Sequence, residues 1–167
     1  MNKILTSPWE DLSHPVILIV EDSDEDFYMF MRAIQNMDEI DRLPYRFLRF
    51  QNGDDTLDYL FRTGVYQELN APLPVAILLD LNLPGTDGRE IIQQVKQSPN
   101  LKTTPIIVLT TSNSHRDIQT CYEYGANCYV IKPMGVSAMQ QTIQTILKHW
   151  FQIVVLPSYE QFVSKNL

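Results

Sequence analysis

Residues 75–88 of this 167-residue chain read VAILLDLNLPGTDG, an apolar run that ends at Asp80 and passes into proline and glycine. An apolar run bounded by turn residues is typical of a buried strand in a parallel sheet. A carboxylate at the end of such a strand is costly to bury unless the protein uses it. Because open α/β sheets bind ligands at the carboxyl ends of their strands, Asp80 is the first candidate for a functional residue.

Four further strands are predicted around this one, and a helical pattern follows each strand. The predicted strands cover residues 16–20, 45–51, 105–109 and 128–131, and the predicted helices begin near residues 23, 53, 87, 114 and 136. We expect Gly64 to end the second helix before a loop over residues 65–74, and the last helix to run to about residue 150. Strands that alternate with helices in this way form a parallel sheet with helices on both faces and right-handed crossovers. The sequence therefore predicts a doubly wound α/β fold.

Composition excludes several classes of function. The formal net charge of −7 argues against a nucleic-acid partner, because phosphate binding needs clustered lysine and arginine. No apolar stretch reaches the length of about 18 residues that predicts a membrane helix, and the first residues do not resemble a signal peptide. Cys121 and Cys128 are interpreted as small buried side chains in a reducing cytosol rather than as a disulfide. We therefore expect a cytoplasmic protein.

Polar residues follow three other predicted strands at the same edge of the sheet: Glu21 and Asp22, Thr110, and Lys132. Neighbouring carboxylates repel one another, and a hard cation such as Mg²⁺, which prefers carboxylate and phosphate oxygens, removes that conflict. A lysine and a hydroxyl can contact the other oxygens of a phosphoryl group, and an aspartate can accept phosphate as a nucleophile. The residues together predict a Mg²⁺-dependent phosphoryl acceptor at Asp80.

Each of these residues also has an ordinary structural explanation when it is considered alone. Glu21 and Asp22 could form the solvated start of a helix, and Asp80 could cap a helix or turn. Lys132 could be an exposed turn residue, and Thr110 a simple strand-end hydroxyl. Their order, with each residue at the end of a separate buried strand, makes coincidence a poor explanation.

With these residues, the chain resembles the receiver domains of two-component response regulators. The matching motifs are Val20-Glu21-Asp22, residues 79–84 with Asp87-Gly88, residues 109–112 and residues 129–133. The resemblance covers about residues 15–150 and implies a flavodoxin-like (βα)5 sheet in the parallel strand order 2-1-3-4-5. Residues 1–14 are then a lead-in, and residues 151–167 are an apolar C-terminal extension.

The resemblance implies a chemical role for each matching residue. Asp80 corresponds to the phosphorylated aspartate, and Lys132 to the lysine that pairs with the phosphate. Glu21, Asp22 and Asp80, with the backbone carbonyl of Asn82, correspond to the ligands of Mg²⁺. Many members carry aspartate in place of Glu21, a variation that should leave metal binding intact.

Two more residues correspond to moving parts of such domains. Thr110 corresponds to the switch hydroxyl that approaches the phosphate, and Tyr129 to the aromatic side chain that swings inward. Thr111 is larger than the alanine often found beside that hydroxyl, so it could narrow access to the acyl phosphate. The implied protein is a signalling switch that catalyses only its own phosphotransfer and dephosphorylation, not an enzyme acting on other substrates.

Residues 80–90 and 149–157 are more similar to the stand-alone regulators paired with cyanobacterial phytochromes. This closer resemblance implies a sensor histidine kinase, such as a phytochrome, as the phosphoryl donor. It also implies a homodimer formed through the last helix and the C-terminal extension. Only a short tail follows the last helix, so we expect the output to be a change in protein–protein contacts.

Two other functions compete with this interpretation. A phosphorylation-independent adaptor could keep the fold without the chemistry, although the full set of Asp80, Thr110 and Lys132 argues against it. A haloacid-dehalogenase-like phosphatase also uses an aspartate nucleophile at a strand end. Such an enzyme normally has a second aspartate two residues later, where this chain has Asn82.

Overall fold

The computed structural model describes residues 14–37, 45–69 and 72–157, where five strands alternate with five α-helices. In chain order they are β1 Val16–Val20, α1 Asp24–Gln35, β2 Arg46–Phe50, α2 Gly53–Phe61, β3 Ala76–Leu79, α3 Gly88–Gln97, β4 Ile106–Thr110, α4 His115–Glu123, β5 Cys128–Ile131 and α5 Val136–Lys148. Four helices begin at a side chain that accepts a backbone N–H, as helix caps do. These caps are Ser23, Asn52, Asp87 and Ser114.

The strands form one parallel sheet in the order β2-β1-β3-β4-β5, which confirms the predicted order. In this register, Val20 at the end of β1 lies beside Phe50 of β2 and Leu79 of β3. The carboxyl ends of the three strands therefore lie level with one another. As a result, the polar residues that follow them meet at one edge of the sheet.

Apolar side chains leave alternate faces of the sheet and form a core on each side. Leu18 and Ile77 contribute to the core beneath α2, α3 and α4, whereas Ile17 and Leu78 contribute to the core shared with α1 and α5. These four side chains are at most 2% exposed. A strand that is buried on both faces has a continuous apolar sequence, and this explains why the apolar runs predicted the positions of these strands.

Two helix ends differ from the predicted ones. Gly64 was expected to end α2, but α2 ends at Phe61, and Arg62 adopts a left-handed conformation with φ of 58°. Gly64–Tyr66 then forms a short 3₁₀ turn that covers the predicted helix end and the first two residues of the loop predicted over residues 65–74. At the other end of the fold, α5 passes into a π-helical turn at His149–Ile153, where a continuous α-helix to about residue 150 was predicted.

The apolar extension divides into packed and exposed residues. Phe151 and Leu156 are buried in the core that α1 and α5 share, whereas Ile153 is 66% and Val155 is 79% exposed. The lead-in before residue 14 and the chain after residue 157 lie outside the described residues. The domain bounds at residues 14 and 150 stay predictions.

Two expectations from composition concern cysteines and membranes. Cys121 is buried and Cys128 half-buried, and both are free thiols, as predicted. Burial raises the pKa of the Cys121 thiol to about 11, so this side chain is protonated at neutral pH. Among the helices of the described residues, none has the length and hydropathy needed to cross a bilayer.

Candidate functional site

The backbone hydrogen bonds of the sheet continue one residue beyond the strands and fix the base of the site. Glu21 N donates to Phe50 O at 2.9 Å, and Asp80 N donates to Val20 O at 3.0 Å. Lys132 N donates to a carbonyl of β4 at 2.8 Å. The three side chains with the chemistry of interest are therefore attached to rigid backbone at the edge of the sheet.

Lys132 is the centre of an ion cluster. Its Nζ lies 2.7 Å from Glu21 Oε2, 2.7 Å from Asp26 Oδ2 and 2.6 Å from Asp80 Oδ2, so each of its three protons has a carboxylate acceptor. Burial alone would lower the pKa of Lys132, but the hydrogen bonds to Asp26, Asp80 and Glu21 outweigh it and raise that pKa. The ammonium is therefore held in its charged form.

Asp80 is 7% exposed, and both of its carboxylate oxygens are occupied. Oδ1 accepts hydrogen bonds from the backbone N–H groups of Leu81 at 2.6 Å and Asn82 at 3.2 Å, and Oδ2 faces Lys132. Burial favours a higher pKa for Asp80, but Lys132, the Thr110 hydroxyl and the Asn82 N–H together bring that pKa below its ordinary value. Asp80 is therefore an ionised and oriented carboxylate, which is the form that can act as a nucleophile.

The neighbouring Glu21 carboxylate has the opposite tendency. Burial raises the pKa of Glu21, and the nearby negative charge of Asp80 adds to that effect, while Lys132 opposes it. Glu21 Oε1 also accepts a hydrogen bond from Ser23 N at 3.1 Å. Two carboxylates that share one lysine thus have pKa values shifted in opposite directions, a pattern that is common at functional sites.

Glu21, Asp22 and Asp80 each place a carboxylate oxygen within 4.8 Å of those of the other two. Asp22 is exposed to solvent, whereas Glu21 and Asp80 are buried. Carboxylate oxygens are hard ligands, and a group of this size suits a small divalent cation that keeps part of its water shell. The residues present therefore fit a Mg²⁺ or Mn²⁺ ion.

Thr110 and Tyr129, the two residues predicted to move, both contact the loop after β4. Thr110 is fully buried, and its Oγ1 accepts a hydrogen bond from Ser112 N at 3.4 Å. The Tyr129 hydroxyl donates to Ser112 O at 3.0 Å. The structure thus joins these two side chains through a single residue of the loop.

The same loop is connected to the starts of α3 and α4. Ser112 Oγ donates to Asp117 Oδ2 at 2.5 Å, and Arg89 Nη2 lies 2.7 Å from that same oxygen. Arg89 also pairs with Asp87 at 2.8 Å. The hydrogen bonds from Arg89 and Ser112 lower the pKa of Asp117, which is therefore ionised at neutral pH.

The loop after β3 approaches α3 so closely that one position requires glycine. A Cβ atom on Gly88 would lie 2.5 Å from Asp80 O and 2.6 Å from Leu81 Cα. Gly88 N donates to Leu81 O at 3.0 Å. The glycine therefore allows α3 to begin directly against the backbone of the candidate nucleophile.

Sequence reasoning missed two residues of this site. The sequence pattern places Asp26 in the acidic first turn of a helix and no more, yet Asp26 binds Lys132, which is 106 positions away in the chain. It places Arg49 among the polar residues of a half-exposed strand, yet the side chain of Arg49 contacts the loop after β1. Both contacts depend on tertiary placement, so no local pattern could have indicated them.

The sequence model of one protein family, described as the response regulator receiver domain, matches residues 17–144. The chain belongs to the response regulator receiver domain family. Response regulator Rcp1 of Synechocystis sp. is 37% identical over 150 residues, which cover 89% of this chain and 98% of the relative. Receiver domains are parts of two-component systems, in which response regulators obtain a phosphoryl group from sensor histidine kinases.

Two solved structures of this receiver family are similar over most of their length. The Mn²⁺-bound form of Rcp1 has a TM-score of 0.79 and 36% identity, covering 86% of this chain and 99% of that chain. The phosphorylated cyanobacterial phytochrome response regulator RcpA has a TM-score of 0.79 and 36% identity, covering 87% and 99%. These findings confirm the predicted resemblance to phytochrome-linked regulators.

Proposed function

We propose that Asp80 accepts a phosphoryl group from the phosphohistidine of a sensor kinase and that this receiver domain acts as a phosphorylation-dependent switch. The observation that supports this most is the ionised Asp80 carboxylate, which lies 2.6 Å from Lys132 and among two further carboxylates. Glu21, Asp22 and Asp80, with the backbone carbonyl of Asn82, are the proposed ligands of Mg²⁺. A bound Mg²⁺ would neutralise the charge on the transferring phosphoryl group.

The residues of the chain orient the nucleophile and receive the product. One Asp80 oxygen attacks phosphorus as the bond to the kinase imidazole breaks, and the electron pair of that bond returns to the imidazole nitrogen. The N–H groups of Leu81 and Asn82 keep the other oxygen in place during this step. Lys132 and the Thr110 hydroxyl then donate to the phosphoryl oxygens, where charge-assisted hydrogen bonds are strong.

The proposed switch is a shift between two pre-existing arrangements of the loop after β4. Phosphorylation adds negative charge beside Lys132 and Thr110, which favours the arrangement in which the Thr110 hydroxyl approaches the phosphoryl group while Lys132, already in contact with Asp80, pairs with it. Thr110 and Tyr129 already meet at Ser112, so a displacement of the hydroxyl reaches the aromatic side chain. The output is a change in protein–protein contacts, and the chain is not an enzyme with a separate substrate.

The finer expectations about partners belong to the same proposal. The similarity to Rcp1 and RcpA supports a phytochrome kinase as the phosphoryl donor. The exposed side chains of Ile153 and Val155 beside α5 support a homodimer formed through the last helix and the extension, because exposed apolar patches mark contact sites. The acidic net charge supports a protein rather than a nucleic acid as the target.

Beryllofluoride binding in the presence of Mg²⁺ tests the phosphoryl acceptor. The parent protein should bind this phosphoryl analogue with a change in tyrosine fluorescence, because Tyr129 lies beside the responding loop. Asp80→Asn should abolish both this response and phosphotransfer from a kinase, whereas Glu25→Gln, at an exposed carboxylate of α1, should abolish neither. A stable acyl phosphate on Asp80→Asn would show that the nucleophile is misassigned, and an unresponsive parent protein would favour the adaptor function.

A further inference from the structure

The loop between β1 and α1, which carries the acidic pair Glu21 and Asp22, is held by Arg49 from the neighbouring strand. Arg49 Nε donates to Glu21 O at 2.9 Å, and Nη2 donates to Asp22 O at 3.1 Å. Nη1 lies 2.7 Å from Asp24 Oδ1. The three guanidinium nitrogens therefore bind within residues 21–24, two of them to the loop and one to the first residue of α1.

The guanidinium of Arg49 is itself fixed by its surroundings. Its side chain is 16% exposed, and its Cζ atom lies 4.5 Å from the centre of the Phe27 ring in α1, a cation–π distance. Gln51 Nε2 donates to the same Asp24 oxygen at 3.1 Å and holds that carboxylate from a second side. Arg49 is thus a fork on β2 that binds both the loop between β1 and α1 and the start of α1.

We infer that Arg49 is a positioning residue for the cation site, a role that rests on the proposed Mg²⁺-dependent function. By binding the carbonyls of Glu21 and Asp22, Arg49 fixes the position of the backbone from which both carboxylate side chains extend. The two carboxylates then already face Asp80 before a cation arrives. Groups that orient metal ligands in this way typically change metal affinity by about 10–100-fold when they are lost.

The direction in which metal affinity changes when Arg49 is replaced distinguishes a positioning role from a purely electrostatic one. The positive guanidinium repels a nearby cation, so an arginine that acted only through its charge would weaken metal binding. Removing it would then tighten binding. An arginine that acts by positioning gives the opposite result, because its removal loosens the ligands. Lysine keeps the charge but cannot form the fork, so Arg49→Lys separates the two contributions.

The test is a Mn²⁺ titration of the full chain, followed by electron paramagnetic resonance of the free ion. Arg49→Met and Arg49→Lys should both weaken Mn²⁺ binding, with a loss of about tenfold or more for methionine. Arg46→Met is the matched control, because Arg46 lies on the same strand at the end far from the site, and it should leave the affinity unchanged. Circular dichroism reports whether each variant is folded.

A second readout uses a small-molecule phosphodonor with increasing Mg²⁺. In both Arg49 variants the Mg²⁺ concentration for half-maximal phosphorylation should rise, while the rate at saturating Mg²⁺ stays near that of the parent protein. If Arg49→Met is unfolded, Arg49→Lys carries the test. Affinity that is equal or tighter in the folded variants overturns the inference and leaves the proposed function intact. A parent protein that binds no Mn²⁺ overturns the proposed function itself, and the inference with it.

Discussion

At the residue scale, the ammonium of Lys132 is the counter-charge for Glu21, Asp26 and Asp80. Lys132→Met keeps most of the side-chain volume and leaves these carboxylates without their common partner. Breaking a buried ion pair by removing one partner costs about 3–5 kcal/mol. We expect the free energy of unfolding at neutral pH, measured by urea titration, to fall by an amount in that range.

Added Mg²⁺ should restore part of the stability lost in Lys132→Met, because a ligand that binds only the folded state stabilises it. Lys148→Met, at an exposed lysine of α5, is the matched control and should change the unfolding free energy very little. Unchanged stability of Lys132→Met would contradict the ion cluster described above.

At the element scale, the Arg89–Asp117 ion pair links the start of α3 to the start of α4. The folded protein lowers the pKa of Asp117 below its ordinary value of 3.8. The carboxylate of Asp117 therefore binds a proton more readily in the unfolded chain than in the folded protein. The ion pair stabilises the fold above pH 3.8, and this contribution is lost as the pH falls through the lower pKa of Asp117 in the folded protein. Asp117→Asn should consequently be less stable than the parent protein at neutral pH.

The stability difference between the parent protein and Asp117→Asn should shrink as the pH falls below 3.8, which urea titrations at several pH values can follow. Glu123→Gln, near the other end of the same helix, should show a much smaller difference at neutral pH, since its carboxylate accepts a hydrogen bond from the neutral Gln119 instead of from an arginine. A difference for Asp117→Asn that persists unchanged in acid would mean that the ion pair is not its cause.

Elements were predicted from sequence to different degrees. Strands β1, β3 and β4 were predictable because a strand covered on both faces is apolar throughout, and Asp80 and Thr110 were predictable because they end or follow such runs. Lys132 was expected to follow a buried strand as well, but β5 is only half-buried and Ile131 is 45% exposed. The π-helical turn at His149–Ile153 was not, since apolar spacing does not distinguish it from a continuing α-helix. The contacts of Arg49 were also hidden, because its partners lie 25 to 28 positions away in the chain.

At the scale of the whole molecule, the described part of the C-terminal extension, residues 151–157, presents two large apolar side chains to solvent and packs two others into the core. Ile153 and Val155 are exposed, whereas Phe151 and Leu156 belong to the core. The double variant Ile153→Asp, Val155→Asp should therefore reduce dimer formation and leave the core intact. Sedimentation velocity, with and without beryllofluoride, measures the oligomeric state.

Val65→Asp is the matched control, because Val65 is 86% exposed in the turn after α2 and lies outside the proposed interface. This variant should sediment like the parent protein. Leu156→Ala should instead lower the unfolding free energy, by about 2–5 kcal/mol as for other buried leucines. A parent protein that sediments as a monomer under both conditions would rule out the proposed dimer.

The contact of Lys132 with three carboxylates has a further consequence for the metal-free state of the protein. Because the chain carries its own cation among the acids, the folded state does not depend on a metal to offset their repulsion. We therefore expect folding and the ability to accept a phosphoryl group to be separate properties. A newly made or metal-free molecule would be fully folded but unable to accept the phosphoryl group. It would gain that ability as soon as it binds magnesium, without any refolding delay.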